Sequence, residues 1–238
     1  MKFIMTLTLL MLCILPVSAS SEVKLIYLNT AESQVMFDRA TDRDDFFDLL
    51  RYYETQQSQA YCGVASAVMV LNAMHITAPV NPVYYPNSQF NQTSVLNKKV
   101  LALGLTAPFI NKQGLTLDQE ASLLKTYPAV SVGVHHMSGH SKDNKTMILS
   151  ALSTHNQYVI VNFLRKGLGQ EGAFGHFSVL AAYNHASDSV LVLDVARYKY
   201  PPFWVKMADL LNAMNTADSR SKQTRGYLII GRKTQHSQ

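Results

Sequence analysis

The run from Cys62 to His75, CGVASAVMVLNAMH, is apolar on nearly every side. A helix with no polar stripe has nowhere to sit except the middle of a protein. Small residues near its start, Gly63, Ala65, Ser66 and Ala67, fit a buried central helix with close neighbours. The rest of the chain must supply surfaces to wrap it. With 238 residues, 47% of them hydrophobic, there is material for one domain, or two tightly joined halves, around a real core.

The flanking patterns show what does the wrapping. Asp42–Tyr53 predicts a helix whose early acids suit the positive end of its dipole. Glu54–Tyr61 reads as a polar turn, and Pro79–Gln92, with Pro79, Pro82 and Pro86, as a loop. A helix is predicted from Thr116 to Lys125, with Thr116 and Gln119 at capping-box spacing. Beyond it the pattern changes. Ala129–Val134, Tyr158–Phe163, Phe177–Tyr183, Val190–Val195 and Tyr227–Ile230 are β-branched or apolar runs bounded by turn residues. Ser187-Asp188 is placed to turn a hairpin between the third and fourth. A helical first half followed by a mostly antiparallel sheet is an α+β order.

The N-terminus reads as an address. Met1-Lys2 is positive, Phe3–Val17 is apolar, and Val17-Ser18-Ala19 supplies small residues for cleavage. Residues 1–19 are therefore expected to be a signal peptide, and residues 20–238 a single domain. The apolar stretch is short for a bilayer span. Membrane contact is expected only through the cleaved signal, and the destination is exported, with the periplasm inferred from the bacterial look of the signal. Leu10-Met11-Leu12 before Cys13 lacks the small residue that lipid attachment takes. The net charge of +5 is scattered rather than striped, which argues against a nucleic-acid partner.

Cleavage removes Cys13 and leaves Cys62 alone. A lone cysteine in an oxidising compartment is reactive, paired between chains, or buried and inert. At the first residue of its helix, Cys62 meets free N–H groups and a positive dipole end, which stabilise a thiolate. A thiolate nucleophile needs an imidazole to share a proton and a group to orient that imidazole. His176 opens its strand in GHFSVLAAY, and Asp194 ends the next in SVLVLDVARY. If those strands pair, the two residues lie at one end of the hairpin, where a carboxylate fixes the imidazole tautomer. Each residue also has a structural reading: a small apolar core residue, a strand-start histidine, a turn-capping aspartate.

Two further motifs carry less. Gly167–Gly172 matches the spacing of a dinucleotide loop, but a strand rather than a helix follows, so no helix start awaits a pyrophosphate. In HHMSGH, His136 and His140 would meet only on a helix, Ser138-Gly139 argues for a loop, and neither Cys, Asp nor Glu completes a ligand set with His135.

Three blocks resemble the phytochelatin synthases, papain-like cysteine peptidases in fold. They are TQQSQAYCGVASAVMVLNAM from Thr55, VNFLRKGLGQEGAFGHFSVLAAY around His176, and LDVARYKYPPFWV from Leu193 to Val205. The resemblance runs from about Glu54 to Arg232 and is to the short bacterial form, without the cysteine-rich C-terminal region of eukaryotic members. It implies Cys62 as nucleophile, His176 as general base and acid, and Asp194 as the orienting carboxylate. It implies Gln56 as an oxyanion donor with the Cys62 backbone N–H. Asp218 and Arg225 match the positions that hold the γ-glutamyl ammonium and carboxylate, and Arg165 is carried over as a further residue beside the substrate.

The implied reaction is removal of glycine from glutathione through a γ-glutamylcysteinyl thioester. Hydrolysis is expected to dominate over transpeptidation to phytochelatins. No bound cofactor is required. A divalent metal such as cadmium or zinc enters either as an activator or within a metal–glutathione thiolate substrate. Family members pair in some cases, so a homodimer stays open, with Pro79–Gln92 as a contact. The alternative is a non-catalytic exported protein that binds thiol peptides or metal ions through Cys62 and the histidines.

Overall fold

The computed structural model describes residues 22–138 and 141–233. The expected signal peptide and His140 lie outside the described residues. The strands are β1 (Ile26–Tyr27), β2 (Val130–His136), β3 (Gln157–Leu164), β4 (Gly175–Asn184), β5 (Ser189–Leu193), β6 (Phe203–Lys206) and β7 (Gly226–Arg232). The helices are α1 (Ala31–Asp38), α2 (Phe46–Arg51), α3 (Cys62–Ala73), α4 (Lys98–Ala102), α5 (Ala107–Gln113), α6 (Leu117–Lys125), α7 (Ser141–Leu152) and α8 (Met207–Met214). The strands form one antiparallel sheet in the order β1-β6-β5-β4-β3-β7-β2. This is an α+β architecture.

The sheet is covered on both faces. Tyr158, Ile160, Phe177, Val179, Leu191 and Leu228 face a core shared with α2, α3 and α6. Val159, Val161, Phe163, Leu180, Val192 and Tyr227 face a second core shared with α7 and α8. Two-sided burial explains why the strand segments are continuously apolar instead of alternating. All residues of α3 are buried, as its unstriped sequence requires. Its late polar residue, Asn72, is used twice over: Nδ2 donates to the Phe90 carbonyl at 3.0 Å, and Oδ1 accepts from the Phe90 N–H at 2.9 Å.

The five anticipated strands and the Cys62 helix are present, and α6 carries its capping box on Thr116 and Gln119. The β4–β5 hairpin turns through residues 185–188, with Asp188 in the left-handed region at φ 48°. Val179 pairs with Leu193, so His176 and Asp194 emerge at the same end of the sheet. The Pro79–Gln92 segment is a loop with one 3-10 turn at Pro82–Tyr84.

Three expectations differ from what is observed. The helix predicted over Asp42–Tyr53 is confined to Phe46–Arg51. Its early acids are used elsewhere: the Asp42 carbonyl accepts from the Tyr183 N–H, and Asp45 Oδ2 accepts from the Asn156 N–H at 2.9 Å. His135 and His136 end β2 rather than lying in a loop, because they pair with Tyr227 and Gly226 of β7. The second half is also less purely sheet than expected, since α7 and α8 cover its far face.

Asn72→Ala should lower stability by about 2–4 kcal/mol, since it orphans two backbone groups inside the core. Urea unfolding measures this; a midpoint unchanged from wild type would show the bridge to be dispensable.

Candidate active site

Cys62 is the first residue of α3, and its thiol lies against the His176 ring at the start of β4, with the Phe177 N–H and the His176 ring both favouring its thiolate. His176 Nε2 lies 2.8 Å from Asp194 Oδ1, leaving the other ring nitrogen for the thiol. Asp194 follows β5 directly. The hairpin thus supplies both the imidazole and its orienting group, and α3 presents the sulfur to them. Phe163 of β3 packs edge-on against the His176 ring, 5.6 Å between centroids.

Asp194 is fully buried, and its carboxylate is heavily donated to. Arg165 Nη1 reaches Oδ2 at 2.9 Å and Nη2 reaches Oδ1 at 3.1 Å. The Ala196 N–H adds a bond to Oδ1 at 2.8 Å. Gln170 Oε1 accepts from Arg165 Nη1 at 2.6 Å, and Tyr200 lies under the guanidinium, 4.8 Å from its ring centroid. The structure therefore places Arg165 behind the carboxylate, in a two-bond fork suited to a planar guanidinium.

These contacts set the charges. Burial alone would push the Cys62 thiol up, but the His176 hydrogen bond and charge, the Phe177 N–H and the Arg165 charge together hold it below its ordinary value. Burial would lower His176, yet Asp194 and Cys62 raise it. Burial would likewise raise Asp194, and His176 and Arg165 hold it well below the usual carboxylate range. The three shifts share one sense: they favour thiolate, imidazolium and carboxylate together.

Gln56 sits on the loop just before α3. Its backbone N–H donates to the Val195 carbonyl at 2.9 Å, which ties this loop to the segment after Asp194. Its Nε2 donates to the Ser58 carbonyl at 2.6 Å and reaches Tyr198 Oη at 3.3 Å. Tyr53 Oη donates to the Asp194 carbonyl, making a second tie.

Arg225 precedes β7 and is buried, with Nη1 donating to the Ala217 carbonyl at 2.6 Å. Its Nε lies 2.6 Å from where a Cβ on Gly175 would stand, so only glycine fits beside His176 there. That Nε is buried with no partner among the described residues. Burial lowers the Arg225 pKa against the raising effect of the Asp218 charge. Asp218 lies on the adjoining loop, where its Oδ1 accepts from the Arg220 N–H at 3.0 Å. His176 and Arg165 thus meet on Asp194, and Arg225 lies on the Gly175 side of His176.

The two side motifs resolve into structure. Gly169 ends a 3-10 turn over Arg165–Leu168, and the strand β4 follows. His136 Nε2 lies 3.2 Å from Asp118 Oδ1, and His135 stacks on Tyr227. Tyr53, Gln170 and Glu120 carried no sequence signal. The first two act through contacts more than a hairpin away or through an ordinary loop, and Glu120 occupies a routine position in the first turns of α6.

A cysteine at the head of a buried helix, joined to an imidazole and a carboxylate, is the arrangement of thiol-based acyl transfer. The comparisons with known proteins agree in direction. The phytochelatin synthase family model matches residues 19–227, and the chain belongs to that family. It is similar to glutathione gamma-glutamylcysteinyltransferase 3 of Lotus japonicus, 35% identical over 195 residues, covering 79% of this chain and 38% of that protein. It is also similar to glutathione gamma-glutamylcysteinyltransferase 1 of Arabidopsis thaliana, 30% identical over 210 residues, covering 87% and 42% respectively. A further relative is the Schizosaccharomyces pombe glutathione gamma-glutamylcysteinyltransferase, 27% identical over 187 residues, covering 79% and 43%. The chain spans about two fifths of the length of these relatives.

Asp194→Asn should remove the charge that raises His176, so the Cys62 thiol climbs toward its ordinary 9.0. Alkylation by iodoacetamide in mildly acidic buffer should slow by about tenfold for each unit climbed. The pH dependence of alkylation reports this, with circular dichroism checking that the fold survives. An unchanged midpoint would separate Asp194 from thiol activation.

Proposed function

We propose that this chain removes glycine from glutathione through a γ-glutamylcysteinyl thioester on Cys62, chiefly by hydrolysis to γ-glutamylcysteine, with weak transpeptidation to phytochelatins. The observation that carries the reading is the placing of the Cys62 thiol against a His176 ring that is itself 2.8 Å from Asp194, in a member of the phytochelatin synthase family. The relatives' printed names supply the substrate class. A papain-like fold is part of the same reading, supported by a nucleophile on a central helix facing an imidazole on an antiparallel sheet.

Each step balances. The Cys62 thiolate attacks the carbonyl carbon of the Cys–Gly bond and forms the C–S bond. The resulting oxyanion is held by the Cys62 backbone N–H and by Gln56 Nε2, whose second N–H points at Tyr198 Oη and is free to change partner. Loss of one such donor typically costs about 10²–10³ in rate. Collapse breaks the C–N bond, and the His176 imidazolium gives its proton to the departing glycine nitrogen. Water then attacks the thioester, His176 takes its proton, and Cys62 leaves as thiolate. The amino group of a second glutathione does the same in transpeptidation. Asp194 keeps the His176 tautomer throughout, and Arg165 balances the Asp194 charge. The unpartnered Nε of Arg225 is suited to a substrate carboxylate, and Asp218 to an ammonium.

Cadmium or zinc enters this reading either as an activator or as part of a metal–glutathione thiolate substrate. No described helix is long and apolar enough to cross a membrane. Export to the periplasm rests on the Met1–Ala19 pattern, and a single domain after residue 19 is supported by a family match that starts there.

Mass spectrometry of products from glutathione, with and without cadmium, tests the reading. Glycine with γ-glutamylcysteine, and their loss in Cys62→Ser, is the expected result. Predominant (γ-Glu-Cys)n-Gly products would reverse the ranking of the two outcomes. Stoichiometric binding without glycine release would replace the enzyme by a thiol-peptide-binding protein.

A further inference from the structure

Glu120 is a titratable side chain packed against the helix that Cys62 begins, and the reaction above leaves it unused. It projects from α6 and is fully buried. Neither carboxyl oxygen has a hydrogen-bond partner among the described residues. Oε2 stands 2.5 Å from where a Cβ on Gly63 would be. Gly63 follows Cys62, so the carboxyl rests on the first turn of α3 in the space a side chain at 63 would occupy. A bare carboxylate without donors is costly in such a place.

We propose that Glu120 is a positioning residue for Cys62: as a neutral acid it permits the thiolate, and as a carboxylate it opposes the negative charge that acyl transfer builds there. The inference rests on Cys62 being the nucleophile. Two anions this close in a buried site compete, so ionisation of one disfavours the other.

The charges around Glu120 leave Cys62 as its counterpart. From α3 it faces Cys62, with Tyr61 just before. From β2 comes His136, held by Asp118, while His135 stacks on Tyr227 on the opposite face of the sheet. From β7 comes Arg232, donating to the Met74 carbonyl. The loop before β7 brings Asp218, Arg220, Lys222 and Arg225. Arg220 is spent on the Gln113 and Gly114 carbonyls, and Arg225 on Ala217. Asp118 and Lys125 share α6 itself. Burial first, and the Cys62 charge second, push Glu120 up to about 8. Burial thus favours the acid over the carboxylate, and the group ionises as pH rises through that value. Activity that needs the neutral form falls on the alkaline side.

Two reagents of similar size read this charge directly, without glutathione. Iodoacetamide is neutral and iodoacetate is anionic, and both alkylate Cys62. The ratio of their rates is measured at about pH 6.5 and about pH 9 in the full chain, in Glu120→Gln and in Glu120→Met. Any change of charge on His176 enters the ratio in all three proteins alike. The preference for the neutral reagent should grow about three- to tenfold more in wild type than in either variant, the size of one added charge nearby. Equal growth in wild type and a folded variant would overturn the inference. A Cys62 that reacts no faster than a free thiol at the lower pH would overturn both this inference and the nucleophile on which it rests. Absence of glycine release alone would remove glutathione as substrate, while the alkylation ratio still decides the role of Glu120.

Discussion

The Asp194 carboxylate is fully buried and accepts from His176, from both Arg165 nitrogens and from the Ala196 N–H. Moving a carboxylate out of water is expensive unless its charge is matched and its lone pairs are filled. Arg165 provides the match and the other donors do the filling. With the thiolate and imidazolium included, two positive and two negative groups sit together, so the buried set carries no net charge. That balance raises the His176 pKa and lowers the Cys62 pKa even though burial opposes both charges. Gln170 and Tyr200 hold the guanidinium in turn.

This arrangement depends on a sheet buried on both faces. The core on one side is completed by α3, whose first residue is Cys62, and on the other by α7 and α8. The β4–β5 hairpin runs through the middle of the sheet. His176 and Asp194 therefore stand on the most constrained strands available. Cys62 belongs to a helix with no exposed residue. Rigid elements on both sides keep the three groups close.

Much of this was legible in the sequence because the strongest signals are local. The unstriped run from Cys62 reads as a buried helix, the Thr116 and Gln119 spacing marks the start of α6, and the five apolar runs read as strands, while the helices α7 and α8 that cover the sheet's far face do not stand out. The Cys62, His176 and Asp194 set followed from strand pairing plus a family resemblance. What escaped was non-local. Asp42 and Asp45 look like helix-start acids, but their hydrogen bonds go to Tyr183 and Asn156, far along the chain. The resemblance puts Arg165 near the site, but its grip on Asp194 reaches from the end of β3 past β4 to the end of β5. Glu120 reads as one more helix acid, because nothing in TLDQEASLL tells which neighbour will cover it.

Two ties close the site from a distance: Tyr53 Oη to the Asp194 carbonyl, 141 residues along the chain, and the Gln56 N–H to the Val195 carbonyl. Contacts across so long a loop form late, since closure entropy must be met before they return anything. Until the sheet is assembled, Cys62 has neither imidazole nor guanidinium beside it and titrates as an ordinary thiol. The chain therefore arms its sulfur only at the moment it encloses it. A partly folded copy is chemically quiet, and reactivity serves as a certificate that the whole domain has closed.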